Sequence, residues 1–163
     1  MTGTDLALLE LYATYREVMA AVPGLTPLPI SRRPPFRGMV VTMTSVNRDR
    51  RLSCTVDRIV PTVKEGPWTW HDAIRFRPGC DLVHGVSGAA AIEGGEIVGL
   101  AQTVAENGSP CALDNPCEEP PVEDGAKYAY GASTSVLYAC YDAATRAFDF
   151  DRIGCPLLRR APR

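Results

Sequence analysis

Residues 80–105 constrain the fold of this chain more than any other stretch of its sequence. A cysteine opens the stretch, a glycine-rich corner follows, and two short apolar runs, 89–92 and 97–101, come next. The runs are separated by residues 93–96, which read Glu-Gly-Gly-Glu. Apolar runs this short on either side of a Gly-Gly pair are typical of a β-hairpin, because a helix needs a longer periodic segment. The stretch therefore predicts two antiparallel strands.

Ser87 lies in the corner that precedes this hairpin, between Gly85 and Gly88. Glycine permits backbone angles that other residues avoid, and it lets a ligand approach the chain closely. A serine in such a loop is one way to present a nucleophilic hydroxyl, with the amides of Gly85 and Ser87 converging on one oxyanion. Ordinary turns also produce Gly-x-Ser-Gly, so the motif alone leaves a purely structural role open.

The composition is that of one globular domain with many turns. The apolar fraction is 45%, the net charge is −2, and 14 glycines accompany 14 prolines, as in many-stranded β proteins. A balance this close to neutral predicts no nucleic-acid partner and no binding to an anionic membrane. No apolar run reaches the roughly 20 residues of a membrane helix, and residues 6–11 are too short for the apolar core of a signal peptide.

The six cysteines favour disulfides over a metal site. Their number is even, no Cys-x-x-Cys occurs, and no histidine has zinc spacing, so we predict no metal, no cofactor and an oxidising compartment. We predict that Cys140 pairs with Cys155, and that Cys80 pairs with Cys54 or Cys111; the sequence leaves the partner of Cys117 open. A reduced cytosolic protein with buried thiols is the alternative.

The N-terminal third is the least regular part of the sequence. Within residues 5–22, apolar side chains fall near a helical stripe, with Thr4 or Asp5 as a candidate N-cap. Residues 23–35 carry prolines at a density that excludes regular structure and predicts an extended connector. A proline-rich partner-binding motif is the alternative for this segment. The prolines are Pro23, Pro27, Pro29, Pro34 and Pro35.

From residue 38 onward the pattern is that of β-strands. Residues 39–46 and 52–60 predict a second hairpin with its tip at 47–50, and Val40, Thr42, Thr44 and Val46 share one face. Residues 127–141 resemble strand material. The remaining predictions are a surface loop carrying His71 between Trp68 and Asp72, an exposed acidic loop at 118–125, and a turn at 142–145 leading into 148–153.

Three stretches together resemble trypsin-like serine proteases of the chymotrypsin fold, of the secreted actinobacterial type. The first is the cysteine, the Gly-x-Ser-Gly corner and the Ile-Val-Gly of the hairpin. The second is the cysteine-bearing stretch 107–118, and the third is 4–11, Thr-Asp-Leu-Ala-Leu-Leu-Glu-Leu, which resembles the segment carrying the aspartate of the triad.

This resemblance implies a mainly β fold and a division of the chain. Residues 38–157 are expected to form the C-terminal six-stranded antiparallel β-barrel. Residues 1–22 are expected to be a remnant of the first barrel, with 5–11 as a strand, or helical in isolation. Residues 23–37 would be the proline-rich connector and 158–163 a basic tail. The family likeness also implies secretion.

The resemblance implies a serine endopeptidase acting on peptide or protein substrates. Ser87 would be the nucleophile, the amides of Gly85 and Ser87 the oxyanion hole, and Asp5 the residue that orients a histidine. An edge strand formed by Gln102, Thr103 and Val104 would pair with the substrate backbone. Asp81 would lie at the base of the primary pocket, favouring Arg or Lys, or at its rim if the alignment contains a short insertion.

One departure from the family concerns the catalytic base. The family's histidine precedes its aspartate, whereas His71 and His84 both lie between Asp5 and Ser87. We therefore expect a chain truncated within the first barrel, with little activity as given. The face that the first barrel would cover is expected to promote self-association. The alternatives are a protease-derived binding or structural module and, less favoured, an α/β-hydrolase esterase with a Gly-x-Ser-x-Gly elbow between strand and helix.

Overall fold

A computed structural model describes residues 2–3, 5–45, 50–105, 109–122 and 126–157. The described chain is mainly β, with one α-helix, α1 (Tyr15–Ala21), and a 3₁₀ helix (Thr134–Ala139). The strands in chain order are β1 (Thr2–Gly3), β2 (Val40–Ser45), β3 (Arg50–Glu65), β4 (Trp68–Phe76), β5 (Ala90–Glu93), β6 (Glu96–Val104), β7 (Cys117–Glu118), β8 (Ala129–Ser133), β9 (Tyr141–Asp142) and β10 (Ala147–Phe148).

Six strands of the main sheet pair in an order that closes on itself. Each strand is antiparallel to both neighbours in the sequence β2-β3-β4-β8-β6-β5, and β5 returns to β2 through the pair Thr42↔Ile92. Strand β7 adds to β3 in the antiparallel sense, and β1 adds to β4 in parallel. A ring of paired strands encloses its apolar side chains and leaves few unpaired edges.

Both predicted hairpins are present. Strands β5 and β6 pair with the register Ala90↔Leu100, and their turn places Gly94 and Gly95 at φ of 57° and 84°, where a side chain would be strained. Strands β2 and β3 pair with Val40 opposite Thr55, although β3 runs on to Glu65, beyond the predicted end. Val46, the predicted end of the first strand, and residues 47–49 of the predicted tip lie outside the described residues.

The interior of the ring is packed with side chains from alternating strand positions. On β2 and just before it, Met39, Val41 and Met43 are buried. Val40, Thr42 and Thr44 were predicted to share one face of the strand, and they lie on its outer face. The largest side chains that the ring encloses are Phe76, Met43, Ile74, Val41 and Val56.

All six cysteines are joined in three disulfides. The predicted pairs Cys54–Cys80 and Cys140–Cys155 are present. The alternative pairing of Cys80 with Cys111 is wrong, because Cys111 bonds to Cys117 across a loop of sequence separation 6. Three disulfides are compatible with an extracellular protein.

The N-terminal segment follows neither local prediction in full. Residues 5–11 have no regular structure, so the strand implied for them is absent, and the helix starts only at Tyr15. Thr14 caps α1 and exchanges hydrogen bonds with Glu17 in a capping box. The helix buries none of its residues. Residues 23–29 are irregular, as the prolines predict, and Ile30 then makes a parallel bridge to Ile97.

Three further predictions need correction. His71 lies in β4 rather than in a loop, because β4 extends as far back as Trp68. Glu118 is buried in β7, residues 119–122 of the predicted acidic loop are exposed, and residues 123–125 lie outside the described residues. Residues 127–141 contain β8 but continue into the 3₁₀ helix. The turn after Asp142 is confirmed by the pairing of β9 with β10, and residues 158–163 lie outside the described residues.

Within the described residues, no helix combines the length and apolar character needed to cross a membrane.

Candidate functional site

The corner that carries Ser87 connects β4 to β5 and is built by two glycines and a buried valine. Gly85 and Gly88 adopt φ of 90° and 84°. The amide of Val86 donates to Val83 O at 3.2 Å, and the amide of Ala89 donates to Val86 O at 2.9 Å. Val86 is 2% exposed, so it fixes the corner in the core while the neighbouring Ser87 stays exposed.

Hydrogen bonds hold this corner against β6. The amide of Gly88 donates to Ala101 O at 2.8 Å, and the Ala101 amide donates to Ala89 O at 2.9 Å. The hydroxyl of Ser87 donates to the main-chain oxygen of Gln102 at 2.7 Å. The Ser87 amide is not among the donors that close the corner in the described chain.

Gln102 connects Ser87 to Asp5. While its carbonyl accepts from Ser87, its side-chain Nε2 donates to the Asp5 main-chain oxygen at 3.0 Å. Two residues that lie far apart in the sequence therefore meet at one residue of β6. Sequence analysis predicted all three as site residues, and the fold brings them together.

These residues line a cleft of about 1220 Å³. Thr103 and Val104 contribute to the same lining, as does His84. Beyond Ala101, β6 pairs only with β8 in the described chain, through Thr103↔Tyr130 and Val104↔Ala129. The other edge of this part of β6 therefore lies beside the corner and has no strand paired with it among the described residues.

Asp81 and His71 are not brought into this cleft. Asp81 is exposed and absent from the cleft lining, so a place at the base of a pocket beside Ser87 is not supported. His71 Nδ1 lies 3.3 Å from Thr62 Oγ1 and 3.2 Å from Pro61 O, and it lines a smaller neighbouring cavity of about 150 Å³. The one proton of the Ser87 hydroxyl points to a carbonyl rather than to an imidazole.

The cleft also gathers carboxylates that the sequence analysis did not single out as site residues. Glu65 accepts a hydrogen bond from the Asp114 amide at 2.7 Å and so fixes Asp114, whose φ is 60°. Asp149 and Asp151 also line the cleft. Their only sequence signal is the alternation Phe148-Asp149-Phe150-Asp151. Together with Asp5, which the sequence analysis did predict, the acidic residues among the described lining are Glu65, Asp114, Asp149 and Asp151.

A second polar cluster, the Arg75 cluster, lies away from this cleft. Arg75 is 3% exposed; its Nε donates to Asp57 at 2.8 Å and its Nη1 to Glu118 at 2.9 Å. Tyr130 donates to Glu118 at 3.0 Å, and the guanidinium lies 4.2 Å from the centroid of the Tyr128 ring. Each buried charge therefore has partners, as buried charges require.

Ionisation in the Arg75 cluster follows from burial and from these partners. Burial raises the pKa of Asp57, but the hydrogen bonds and charge of Arg75 outweigh it and leave that pKa below its ordinary value. Burial, and then the charge of Glu118, raise the pKa of Tyr130, so its phenol remains a donor. The Arg75 cluster thus has the character of a structural support.

No family model, curated protein or solved structure matches this chain. Among the described residues, no group of three or more metal-ligating side chains is positioned to hold a metal ion. Because β5 follows Ser87 where a nucleophile elbow requires a helix, the corner does not fit an α/β-hydrolase.

Proposed function

We propose that this chain has the chymotrypsin fold and carries the nucleophile of a secreted serine endopeptidase. The observation that carries the proposal is the meeting of Asp5, Gln102 and Ser87 in one cleft. Ser87 acts as the nucleophile, and Asp5 orients the imidazole that takes its proton. The amides of Gly85 and Ser87 stabilise the oxyanion of the tetrahedral intermediate.

The strand order supports the fold part of this proposal. Six antiparallel strands that close on themselves are what a single barrel of that fold requires, and the Ser87 corner enters this ring at β5. The three disulfides support secretion, because such bonds persist in oxidising compartments.

The hydrogen bond from Ser87 to Gln102 suggests how a substrate prepares the nucleophile. A peptide that adds along residues 102–104 offers an N–H group to the Gln102 carbonyl, the acceptor that Ser87 now occupies. Displacement frees the hydroxyl to rotate toward an imidazole, at a cost of about 1 kcal/mol for one exchanged hydrogen bond. Substrate binding and activation of the serine are then linked.

Chemical rescue by imidazole tests this mechanism. The chain is mixed with a peptide ester with and without added imidazole, and hydrolysis is compared with that of Ser87→Ala under the same conditions. We expect added imidazole to produce ester hydrolysis that requires Ser87. The rate of this hydrolysis should be lower in Asp5→Asn than in the wild type. Equal rates in the wild type and Ser87→Ala at every imidazole concentration would contradict the proposal.

A non-catalytic peptide-binding module is the second candidate function. It is favoured by the Ser87 hydroxyl, whose proton is directed to a carbonyl rather than to a base. In that case peptides bind along residues 102–104 and are never cleaved. Retained peptide binding together with failed imidazole rescue would favour this function over hydrolysis.

Self-association remains part of the proposal. Residues 8–36 expose many large apolar side chains, among them Leu9 at 86%, and α1 buries none of its own residues. Exposed apolar surface of this kind favours contact with another protein surface. Sedimentation of the chain over a range of concentrations is expected to show oligomers, and a monomer at every concentration would contradict this expectation.

A further inference from the structure

We infer that the Cys111–Cys117 disulfide is a redox-sensitive clamp on one wall of the cleft, and that an external thiol opens this wall without unfolding the chain. The wall consists of residues 109–117, the 109–117 loop. The inference rests on the proposed function only for the activity that the cleft performs, because opening of the loop is a property of the fold.

The 109–117 loop forms part of the cleft. Leu113 and Asp114 belong to the described lining, and Leu113 is 65% exposed. Two hydrogen bonds join the loop to the turn between β3 and β4. The Gly66 amide donates to Cys111 O at 2.7 Å, and the Asp114 amide donates to Glu65 at 2.7 Å. The position of this wall therefore depends on the conformation of the loop.

The backbone of the loop is held in a conformation that its residues disfavour. Cys111 and Asp114 adopt φ of 63° and 60°, and they are two of the four non-glycine residues with positive φ in the described chain. Aspartate tolerates this left-handed region better than cysteine does. Such conformations persist only where the surrounding structure enforces them. The disulfide, which closes the loop at a sequence separation of 6, enforces the conformation of Cys111.

One end of the loop is fixed independently of the disulfide. Cys117 begins β7 and pairs with Lys64 of β3. The next residue, Glu118, is buried and accepts a hydrogen bond from Arg75 at 2.9 Å. Strand β7 therefore stays in place when the disulfide breaks, and residues 109–116 are the part that is released.

Burial distinguishes this disulfide from the other two. Cys111 and Cys117 are both half-buried, whereas Cys54 is 2% exposed and Cys140 is 0% exposed. A thiolate that attacks the accessible end of either other disulfide must expel the thiolate of Cys54 or Cys140 into the interior, where burial disfavours charge. At Cys111–Cys117, either leaving thiolate is partly solvated. This disulfide should therefore be reduced first.

Reduction is a two-electron thiol–disulfide exchange. A thiolate of an external dithiol attacks Sγ of Cys111 or Cys117, the S–S bond breaks, a mixed disulfide forms, and the expelled sulfur takes up a proton. The second thiol of the reductant then displaces the remaining protein sulfur. The chain gains two thiols while the reductant becomes a disulfide. Because the protein bond persists only in an oxidising compartment, the cleft is complete only there.

Limited reduction tests which disulfide opens first. The folded chain is exposed to rising concentrations of dithiothreitol, new thiols are blocked with iodoacetamide, and the blocked cysteines are located by mass spectrometry. We expect Cys111 and Cys117 to be blocked before the remaining cysteines react. Reduction of Cys54–Cys80 or Cys140–Cys155 at the same or a lower dithiothreitol concentration would overturn the inference.

Hydrogen exchange tests whether the wall opens. In the selectively reduced chain, the amides of Gly66 and Asp114 should lose protection, because each donates a hydrogen bond between the loop and the β3–β4 turn. The Gly88 amide, which donates to Ala101 O at the Ser87 corner, is the internal control and should exchange as before. Unchanged protection at Gly66 and Asp114 would overturn the inference.

A double variant separates loss of the disulfide from any effect of the blocking groups. Cys111→Ser combined with Cys117→Ser should show the low protection of the reduced chain, with or without dithiothreitol. Circular dichroism and the two remaining disulfides report whether the variant is folded. A folded variant with the amide protection of the oxidised wild type would also overturn the inference.

Failure of the inference and failure of the proposed function give different results, because blocking and exchange are measured without substrate. If both hold, selective reduction should lower the imidazole-rescued rate, since a released wall no longer holds the substrate in place. Selective opening of the loop without any imidazole rescue would reject hydrolysis and support the inference. Rescue at equal rates before and after selective reduction would support hydrolysis and overturn the inference.

Discussion

The Arg75 cluster and the Ser87 cleft both gather acidic residues, but they differ in burial: Arg75 pairs with its acidic partners in the interior, whereas the acidic residues of the cleft surround an open volume. Asp57 and Glu118 close on Arg75 in the interior, and every group of that cluster is hydrogen-bonded. The described residues that line the cleft include five acidic residues. Charges paired in a protein interior stabilise its fold, whereas acidic residues that line a cavity contribute to the electrostatic field of that cavity.

The two regions are also physically connected. Glu118 follows Cys117, and the Cys111–Cys117 disulfide closes the loop that carries Asp114 into the cleft wall. The Arg75 cluster therefore anchors one end of the loop on which the cleft depends. Substitutions in each region should separate the structural role of the Arg75 cluster from the functional role of the cleft.

The largest effect is expected from removing the cation of the Arg75 cluster. Arg75→Met leaves the buried Glu118 and the partly buried Asp57 without their cation, which should cost about 3–5 kcal/mol in the free energy of unfolding. Lys64→Met is the control, because its pair with Glu119 is largely exposed and should be worth less than about 1 kcal/mol. Urea denaturation measures both. Similar losses in the two variants would show that the Arg75 cluster is not a buried support.

The next largest effect is expected from the disulfides. By loop entropy, removing Cys54–Cys80 should cost about 3.5 kcal/mol and removing Cys111–Cys117 about 2 kcal/mol, since their separations are 26 and 6. Paired Cys→Ala variants and denaturation give the values. Loss of Cys111–Cys117 should also weaken peptide binding, because it frees the loop of Asp114. Unchanged peptide binding would separate that loop from the site.

A smaller effect is expected from the pH dependence of the Arg75 cluster. The folded pKa of Asp57 lies below its ordinary value of 3.8, so its stabilising contribution is fully present above that pH. The contribution is lost as the pH falls through the lower folded pKa. Asp57→Asn should therefore be less stable than the wild type near neutral pH and lose less stability in acid. Parallel stability curves from about pH 2 to pH 7 would contradict this assignment.

The smallest effect on stability is expected at Ser87 itself. Ser87→Ala removes one exposed hydrogen bond to Gln102, so the free energy of unfolding should change by less than about 1 kcal/mol. Rescue by imidazole should nevertheless disappear. A large loss of stability would instead make the hydroxyl a structural tie between the corner and β6.

Local sequence signals predicted the hairpins because their patterns are short in range. The Gly94-Gly95 turn and the runs beside it determine β5 and β6, and the alternation around Val41 determines β2. The prolines of the connector excluded regular structure in the same local way. The prediction failed at His71 because β4 gains its length from pairing with β3 and not from its own composition.

The site was partly predictable for the same reason. Ser87, Gly85 and Gly88 form one contiguous motif, and Asp5 and Gln102 were found by resemblance. Glu65, Asp114 and the segment 148–151 carry no shared local motif, so only folding shows that they line one cleft. Asp81 is exposed and absent from the described lining, so its predicted place at the base or rim of a primary pocket rests on the resemblance alone.

By itself, the sequence determined the glycine corner around Ser87, the short β-strands and the oxidised state expected of six cysteines. Only the tertiary structure decided which acidic residues pair with the buried Arg75 and which line the cleft. The physical reason is range: turn and strand preferences act between neighbouring residues, whereas the pairing of charges depends on distances that the closed ring alone sets.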